Sequence, residues 1–171
     1  MKLHITTPDH MHFAFDTLEA IKNQCFPEAT FFRLTDFQEQ SPDGMVFRAV
    51  MAGDIPVGYY ILCSNQKMNF LVHLAIDARY RSAGYGSEVM DHILQEYGST
   101  PLTLLIEKPE AAAPPDDLKI RRLNFYMRKG FMLTGVTEIF AGNDYSLMSN
   151  YKEVDIAEYR KMIRRLNHQE P

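Results

Sequence analysis

Residues 74–87 read LAIDARYRSAGYGS, an apolar strand followed by a basic turn with two glycines and the start of a helix. The first turn of a helix has backbone N–H groups without partners and carries the positive end of the helix dipole. Glycines allow a phosphate to come close to the backbone. Because Arg79 and Arg81 stand just before Gly84 and Gly86, the stretch predicts an anion-binding turn between a strand and a helix.

Two common phosphate motifs do not describe this turn. A dinucleotide fingerprint requires a third glycine where this chain has Val89, and a Walker loop requires a Gly-Lys-Ser/Thr sequence that does not follow. The turn therefore points to a different class of phosphate ligand.

The periodicity of apolar residues on either side of this turn predicts a mixed sheet with helices on both faces. The expected order is β, α, α, β, β, β, α, β, α, β, β, α, in one domain over residues 1–171. Strands are predicted at residues 2–6, 45–51, 57–63, 69–76, 102–106, 131–140 and 144–149, and helices from residue 8 to residue 25, at 31–38, 84–97 and 118–129, and at about 153–168.

Composition limits the classes of partner. The 171 residues carry a formal net charge of -4, so we expect no nucleic-acid partner. Cys25 and Cys63 are far apart and fit free thiols in a reducing compartment. No uninterrupted run of apolar residues reaches the length of a membrane span. The chain is expected to be cytoplasmic, without a membrane partner and without a metal site.

Two segments resemble the GNAT (GCN5-related N-acetyltransferase) superfamily. Arg81, Gly84 and Gly86 form the pattern Arg-x-x-Gly-x-Gly, which resembles the coenzyme A pyrophosphate turn of that family. Residues 121–131, RRLNFYMRKGF, resemble its Tyr-x-x-x-Gly-Phe segment. Together with the strand order, the likeness covers residues from about 45 to 150. It implies a mostly antiparallel sheet of six to seven strands and acetyl-CoA as co-substrate.

The resemblance also implies roles for individual residues. The strand before the turn would part from its neighbour, leaving backbone groups of Leu74, Ala75 and Ile76 to bind the acetyl carbonyl and the pantetheine arm. Tyr126 would protonate the departing thiolate as general acid. Asn124 is the candidate to replace a family asparagine that contacts the coenzyme. The pyrophosphate would be held at Arg81, Ser82, Ala83, Gly84, Tyr85, Gly86 and Ser87.

The general base is the least determined part of the site. Family members often have a glutamate a few residues before the segment that matches Leu74 to Ile76, where this chain has residues 69–72, NFLV. A free alkylamine has a pKa of about 10, so a group must accept its proton. Glu107 is the first candidate and Glu28 the second, with His73 and a chain of water molecules as further alternatives.

The predicted reaction is direct transfer of an acetyl group to a primary amine, on a small molecule or a peptide. The alternative is a module that binds acyl-CoA without turnover. The aromatic last strands suggest a possible homodimer.

Overall fold

The computed structural model describes residues 2–8, 12–30, 32–37, 44–140 and 142–168, and these form one seven-stranded sheet with four α-helices. The strands are β1 (Leu3–Thr6), β2 (Met45–Ala52), β3 (Ile55–Ser64), β4 (Asn69–Ile76), β5 (Leu102–Glu107), β6 (Met132–Phe140) and β7 (Asn143–Ser149). The helices are α1 (His12–Cys25), α2 (Tyr85–Tyr97), α3 (Leu118–Arg128) and α4 (Ile156–His168).

The strands lie in the order β1-β2-β3-β4-β5-β7-β6. Every neighbouring pair is antiparallel except β4 and β5. These two are parallel because α2 returns the chain to the end of the sheet at which β4 begins. This arrangement confirms the predicted mixed, mostly antiparallel sheet.

The two faces of the sheet carry different cores because side chains alternate along each strand. On one face, α2 and α3 pack on a cluster that contains Tyr60 and Leu62 of β3. On the other face, α1 packs on Tyr59 and Ile61, and α4 packs near Cys63. Helices thus cover both faces, as the sequence predicted.

The helix predicted at residues 31–38 is wrong within the described part of this segment, and residues 31 and 38 lie outside that part. A single turn of 3-10 helix, Leu34–Phe37, is present instead. Its first N–H groups are taken by side chains, since Arg33 N donates to Asp36 Oδ2 at 2.8 Å and Leu34 N donates to Glu19 Oε2 at 2.8 Å. The segment is therefore shaped by contacts with α1. The start predicted for the first helix falls partly on residues 9–11, which are also outside the described residues.

A buried asparagine fastens the junction of β4 and β5. Asn69 is 3% exposed, and its Nδ2 donates to the carbonyl of Tyr97 at 2.9 Å and to Thr100 Oγ1 at 2.8 Å. Its Oδ1 accepts from Ser64 Oγ at 2.6 Å, and its carbonyl accepts from Thr103 Oγ1 at 2.9 Å. The side chain of Asn69 thus connects the end of β3, the end of α2 and the turn before β5, and its backbone carbonyl holds β5 itself.

Replacement of Asn69 by Ala should lower the free energy of unfolding by about 2–4 kcal/mol, since buried partners lose their hydrogen bonds. Urea unfolding followed by circular dichroism measures this loss. Asn23→Ala is the matched control, since Asn23 is exposed on α1, and it should change stability by less than about 0.5 kcal/mol. Equal effects of the two substitutions would contradict the role given to Asn69.

Candidate active site

The parallel strands β4 and β5 separate partway along their length. They pair at Asn69↔Leu102, Phe70↔Thr103 and Leu71↔Leu104, and pairing then stops while β4 continues to Ile76 and β5 to Glu107. Within the described chain, no strand fills the space between these two ends. A gap thus opens in the interior of the sheet, with backbone polar groups along its edge.

The direction of the backbone groups of β4 follows from one hydrogen bond. Asp77 N donates to the carbonyl of Val57 at 2.9 Å, so the groups of Asp77 face β3. In an antiparallel pair the direction alternates from residue to residue, so the groups of Ala75 also face β3 and those of Leu74 and Ile76 face the gap. Of the three residues expected to offer free backbone groups, the geometry singles out Leu74 and Ile76.

The turn that follows β4 presents a row of unpaired donors. Ser82 has φ 65° and Gly84 has φ 86°, and α2 begins directly afterwards. The first bond of that helix runs from Glu88 N to the carbonyl of Gly84 at 3.0 Å. Among the described residues, none accepts a hydrogen bond from the N–H groups of residues 82–87. This turn has the donor arrangement of an anion site.

Arg81 lies at the top of the gap. Its Nε donates to the carbonyl of Ile76 at 3.1 Å, and its terminal nitrogen lies 3.1 Å from Cys25 Sγ. The neighbouring Arg79 instead forks onto Asp77, and its guanidinium lowers the pKa of that carboxyl. The charge of Arg81 therefore stays beside the last residue of β4.

Tyr126 lies on the inner side of α3 and is buried, with its ring against those of Phe125 and Phe131. Burial raises its pKa to about 12, while the charge of Arg122 opposes the rise. The phenol is therefore protonated at neutral pH. Asn124 is exposed, and because it is two residues before Tyr126 it points to the opposite side of α3.

Glu107 ends β5 on the other side of the gap and is ion-paired. Its Oε1 lies 2.8 Å from Lys119 Nζ, with the two side chains 26% and 30% exposed. This pair lines an open cleft of about 310 Å³ together with parts of the 108–111 loop and the turn between β6 and β7. Glu107 raises the pKa of Lys119 through this hydrogen bond.

Tyr145 is a site residue that the sequence analysis missed. It is the register partner of Glu107 on β7. Burial raises its pKa first, and the carboxylates of Glu107 and Glu28 raise it further. Glu28 is exposed in the turn after α1, so this electrostatic contribution indicates that two of the proposed bases act on one tyrosine. Only the strand register brings Tyr145 and Glu107 together, and a single sequence carries no local signal for it.

His73 is held as a neutral ring. It stacks on Phe26 with centroids 4.0 Å apart, lies near Phe32, and its Nδ1 is 3.1 Å from the hydroxyl of Tyr59. Burial lowers its pKa to about 4, and the charge of Lys22 acts in the same direction. Burial also raises the pKa of Tyr59, so that hydroxyl stays protonated. If it donates to Nδ1, the ring proton is on Nε2, and His73 is poorly suited to accept another proton.

A metal site and a membrane-spanning helix are both absent from the described residues. Within them, no group of three or more His, Cys, Asp or Glu side chains has an arrangement that would hold a metal ion. None of the helices in these residues has the length and apolar character needed to cross a membrane.

Comparison with known proteins identifies the class. The model of the acetyltransferase (GNAT) family matches residues 11–131, and the chain belongs to this family of acetyltransferases. No curated protein matches the sequence.

Solved structures share the fold at low sequence identity. A protein from Bacteroides thetaiotaomicron assigned to the GNAT family has 21% identity and a TM-score of 0.71, and the match covers 98% of this chain and 96% of that one. An aminoglycoside 6'-N-acetyltransferase complexed with coenzyme A has 14% identity and a TM-score of 0.68, covering 91% and 100%. Naa50 of Arabidopsis thaliana, bound to the bisubstrate analogue CoA-Ac-MVNAL, has 17% identity and a TM-score of 0.63, covering 87% and 98%.

The low pKa of His73 predicts a pH dependence of stability. Its pKa falls from 6.5 to about 4 on folding, so below pH 6.5 the unfolded chain binds a proton that the folded one does not. Stability from this group is complete above pH 6.5 and is lost as pH falls toward 4. Between pH 7 and pH 5 the wild-type protein should lose about 2 kcal/mol more than His73→Asn in urea unfolding. His92→Gln, at an exposed site on α2, is the control and should not remove this loss. Parallel pH profiles of wild type and His73→Asn would contradict the assignment.

Proposed function

We propose that the protein transfers an acetyl group from acetyl-CoA to a primary amine by direct attack. The observation that carries the proposal is the gap between β4 and β5, which ends at the turn with free N–H groups at residues 82–87. A ligand that combines an anion with an amide-containing arm satisfies both sets of backbone groups, and coenzyme A has that composition. The solved relatives named with coenzyme A support this choice.

In the proposed complex, the pyrophosphate accepts hydrogen bonds from the turn, while Arg81 adds positive charge at the end of β4. The pantetheine arm takes the place of a strand and bonds to Leu74 and Ile76, whose backbone groups face the gap. One of these N–H groups is proposed to bond the thioester carbonyl and the oxyanion that forms there when the amine attacks, and the other bonds the arm. Ala75 then contributes through its packing, since its backbone groups are directed to β3.

Tyr126 is the proposed general acid. Its pKa of about 12 lies above the value of about 8.5 for a thiol in water, a difference that corresponds to about 5 kcal/mol against proton transfer. Burial of the leaving thiolate raises its basicity as well and reduces this difference. Tyr126 therefore first donates a hydrogen bond to the forming thiolate, and the proton follows as the C–S bond breaks.

Glu107 is the proposed base. Leu71 and Leu104 are register partners, Glu107 lies three residues further along β5, and β4 carries one extra residue after Leu71. Glu107 is thus about level with Ala75, between the N–H groups of Leu74 and Ile76 on the opposite side of the gap, which suits a carboxylate that accepts a proton from the attacking amine. Glu28 is the alternative, acting from the turn after α1, and a water chain remains compatible with either carboxylate.

The proposed acceptor is a small-molecule or peptide amine. The relatives that are named for an aminoglycoside and for a peptide analogue support both kinds of acceptor. Direct attack needs no metal, and the net charge of -4 does not favour nucleic acid. The two cysteines, Cys25 and Cys63, lie far apart in the sequence and outside any Cys-x-x-Cys spacing, which supports a cytoplasmic location.

A homodimer is also proposed, through the edge strand β6. Leu133 is 54% exposed and Ile139 is 73% exposed on this strand, which pairs with β7 on one side only. An unpaired edge with exposed apolar side chains favours pairing with a second chain.

A second candidate function is a sensor that binds acyl-CoA without turnover. Phe70 favours it, because a buried phenyl ring packed near Tyr159 stands on β4 where family members often have a carboxylate. A sensor keeps the coenzyme turn and has no use for Tyr126.

Calorimetric titration with acetyl-CoA, with ATP and NAD as comparators, tests the proposed function together with Tyr126→Phe. The wild-type protein should bind acetyl-CoA and release thiol with a panel of peptides, polyamines and aminoglycosides. Tyr126→Phe should bind equally well and lose about 10²- to 10³-fold in turnover. Tyr151→Phe, at an exposed position after β7, should behave as wild type. Binding without thiol release would favour the sensor, and no binding would rule out both candidates.

Gly84→Ala tests the turn. At φ 86° an alanine is strained by about 1–2 kcal/mol, and relief of that strain moves the N–H groups away from the pyrophosphate. We expect affinity for coenzyme A to fall by at least about tenfold. Gly53→Ala is the matched control, because Gly53 also has positive φ and open space around it in the turn between β2 and β3. An equal loss of affinity in both variants would indicate general destabilisation and refute the turn as the binding site.

A further inference from the structure

An amine of the protein itself lies beside the gap. Lys119 is in the first turn of α3, and its Nζ lies 2.8 Å from Oε1 of Glu107 at the end of β5. The N-terminus of this helix is fixed by Asp117, whose side chain accepts from Lys119 N at 2.8 Å. The position of the amine is therefore determined at both ends of the lysine.

Lys119 also shares a side of its helix with the proposed acid. Seven residues, or nearly two helical turns, separate Lys119 from Tyr126, so the two side chains leave α3 in nearly the same direction. Glu107 is about level with Ala75 across the gap, because β4 carries one extra residue after Leu71. A primary amine and a carboxylate thus stand beside the gap, and the phenol follows about 10 Å further along the same side of α3.

We propose that Lys119 is a self-acetylation site, so that the chain serves as its own acceptor when no other amine is present. This inference rests on the proposed binding of acetyl-CoA. Glu107 removes a proton from the ammonium of Lys119, and Nζ attacks the thioester carbonyl. A C–N amide bond forms, the C–S bond breaks, the nitrogen loses a second proton to water, and the thiolate takes a proton from Tyr126 to leave as coenzyme A. Water then returns a proton to Tyr126 and accepts the proton that Glu107 holds.

The charges around Lys119 predict that its acetylation is slow and happens once per chain. Glu107, Glu110 and Asp117 raise the pKa of Lys119, so the amine is charged until Glu107 takes its proton. Acetylation makes the nitrogen a neutral amide, which ends the ion pair and leaves Glu107 without its cation. Among the described residues, no second amine pairs with Glu107, so the reaction stops after one turnover.

Two other lysines provide internal comparisons. Lys67 pairs with Glu158 at 3.6 Å, and Lys129 pairs with Asp91 at 2.6 Å. Both have a carboxylate neighbour, as Lys119 does, but Lys67 precedes β4 and Lys129 follows the last turn of α3. Chemical acetylation by acetyl-CoA in solution has no reason to prefer Lys119, because Lys67 is 66% exposed and Lys119 only 30%.

The experiment uses the full-length protein and acetyl-CoA without an added amine. Intact mass, peptide mass spectrometry and a thiol reagent follow the reaction. One acetyl group per chain should appear at Lys119, with one equivalent of released thiol. Lys119→Arg keeps the positive charge beside Glu107 and should lose both signals, whereas Glu107→Gln should slow them by at least about tenfold.

Three results would overturn the proposal. They are acetylation spread evenly over Lys67, Lys119 and Lys129, an unchanged rate in Glu107→Gln, and no acetylation at all. Titration of the same samples with acetyl-CoA separates this failure from that of the proposed function. Binding without modification refutes only self-acetylation, while a protein that binds no acetyl-CoA refutes both.

Discussion

The side-chain and backbone hydrogen bonds of Asn69 close the junction of β4 and β5, and the site depends on what happens immediately beyond it. Three residue pairs later the strands stop pairing, although a sheet interior normally satisfies every backbone N–H and C=O group. The N–H groups of Leu74 and Ile76 are costly if they stay buried without a partner. A ligand with its own amides supplies the missing hydrogen bonds. Its binding therefore removes the unfavourable free energy of the unpaired groups, and this gain contributes to the affinity.

The turn at residues 82–87 extends the same principle to the start of α2. A helix cannot satisfy the N–H groups of its first turn, and positive φ at Ser82 and Gly84 turns the preceding groups in the same direction. Gly58 of β3 lets β4, which leads to this turn, pair closely with β3, because a Cβ at position 58 would come within 2.3 Å of the carbonyl oxygen of Ala75. Gap and turn therefore present two sets of unpaired backbone donors, separated by residues 77–81, whose N–H groups have partners.

The sequence predicted the features that depend on neighbouring residues and missed those that depend on register. The glycine turn, α2 and α3 are encoded by local spacing, and the family resemblance supplied the gap that local patterns do not show. The helix predicted at 31–38 failed because the carboxylate of Glu19 and the rings around Phe37 decide the shape of that segment. Tyr145 and the partnership of Lys119 with Glu107 also come from distant parts of the chain, which no periodicity records.

The packing of the C-terminal helix explains why β4 has no carboxylate at position 70. Tyr159 of α4 is fully buried and its ring lies 6.0 Å from that of Phe70, so this face of β4 is committed to an apolar core. A glutamate in place of Phe70 would be buried against that core without a cation, which is strongly unfavourable. The carboxylate proposed as proton acceptor lies elsewhere, at the end of β5, where Glu107 is 26% exposed. The packing of α4 thus explains why β4 carries an apolar side chain at position 70.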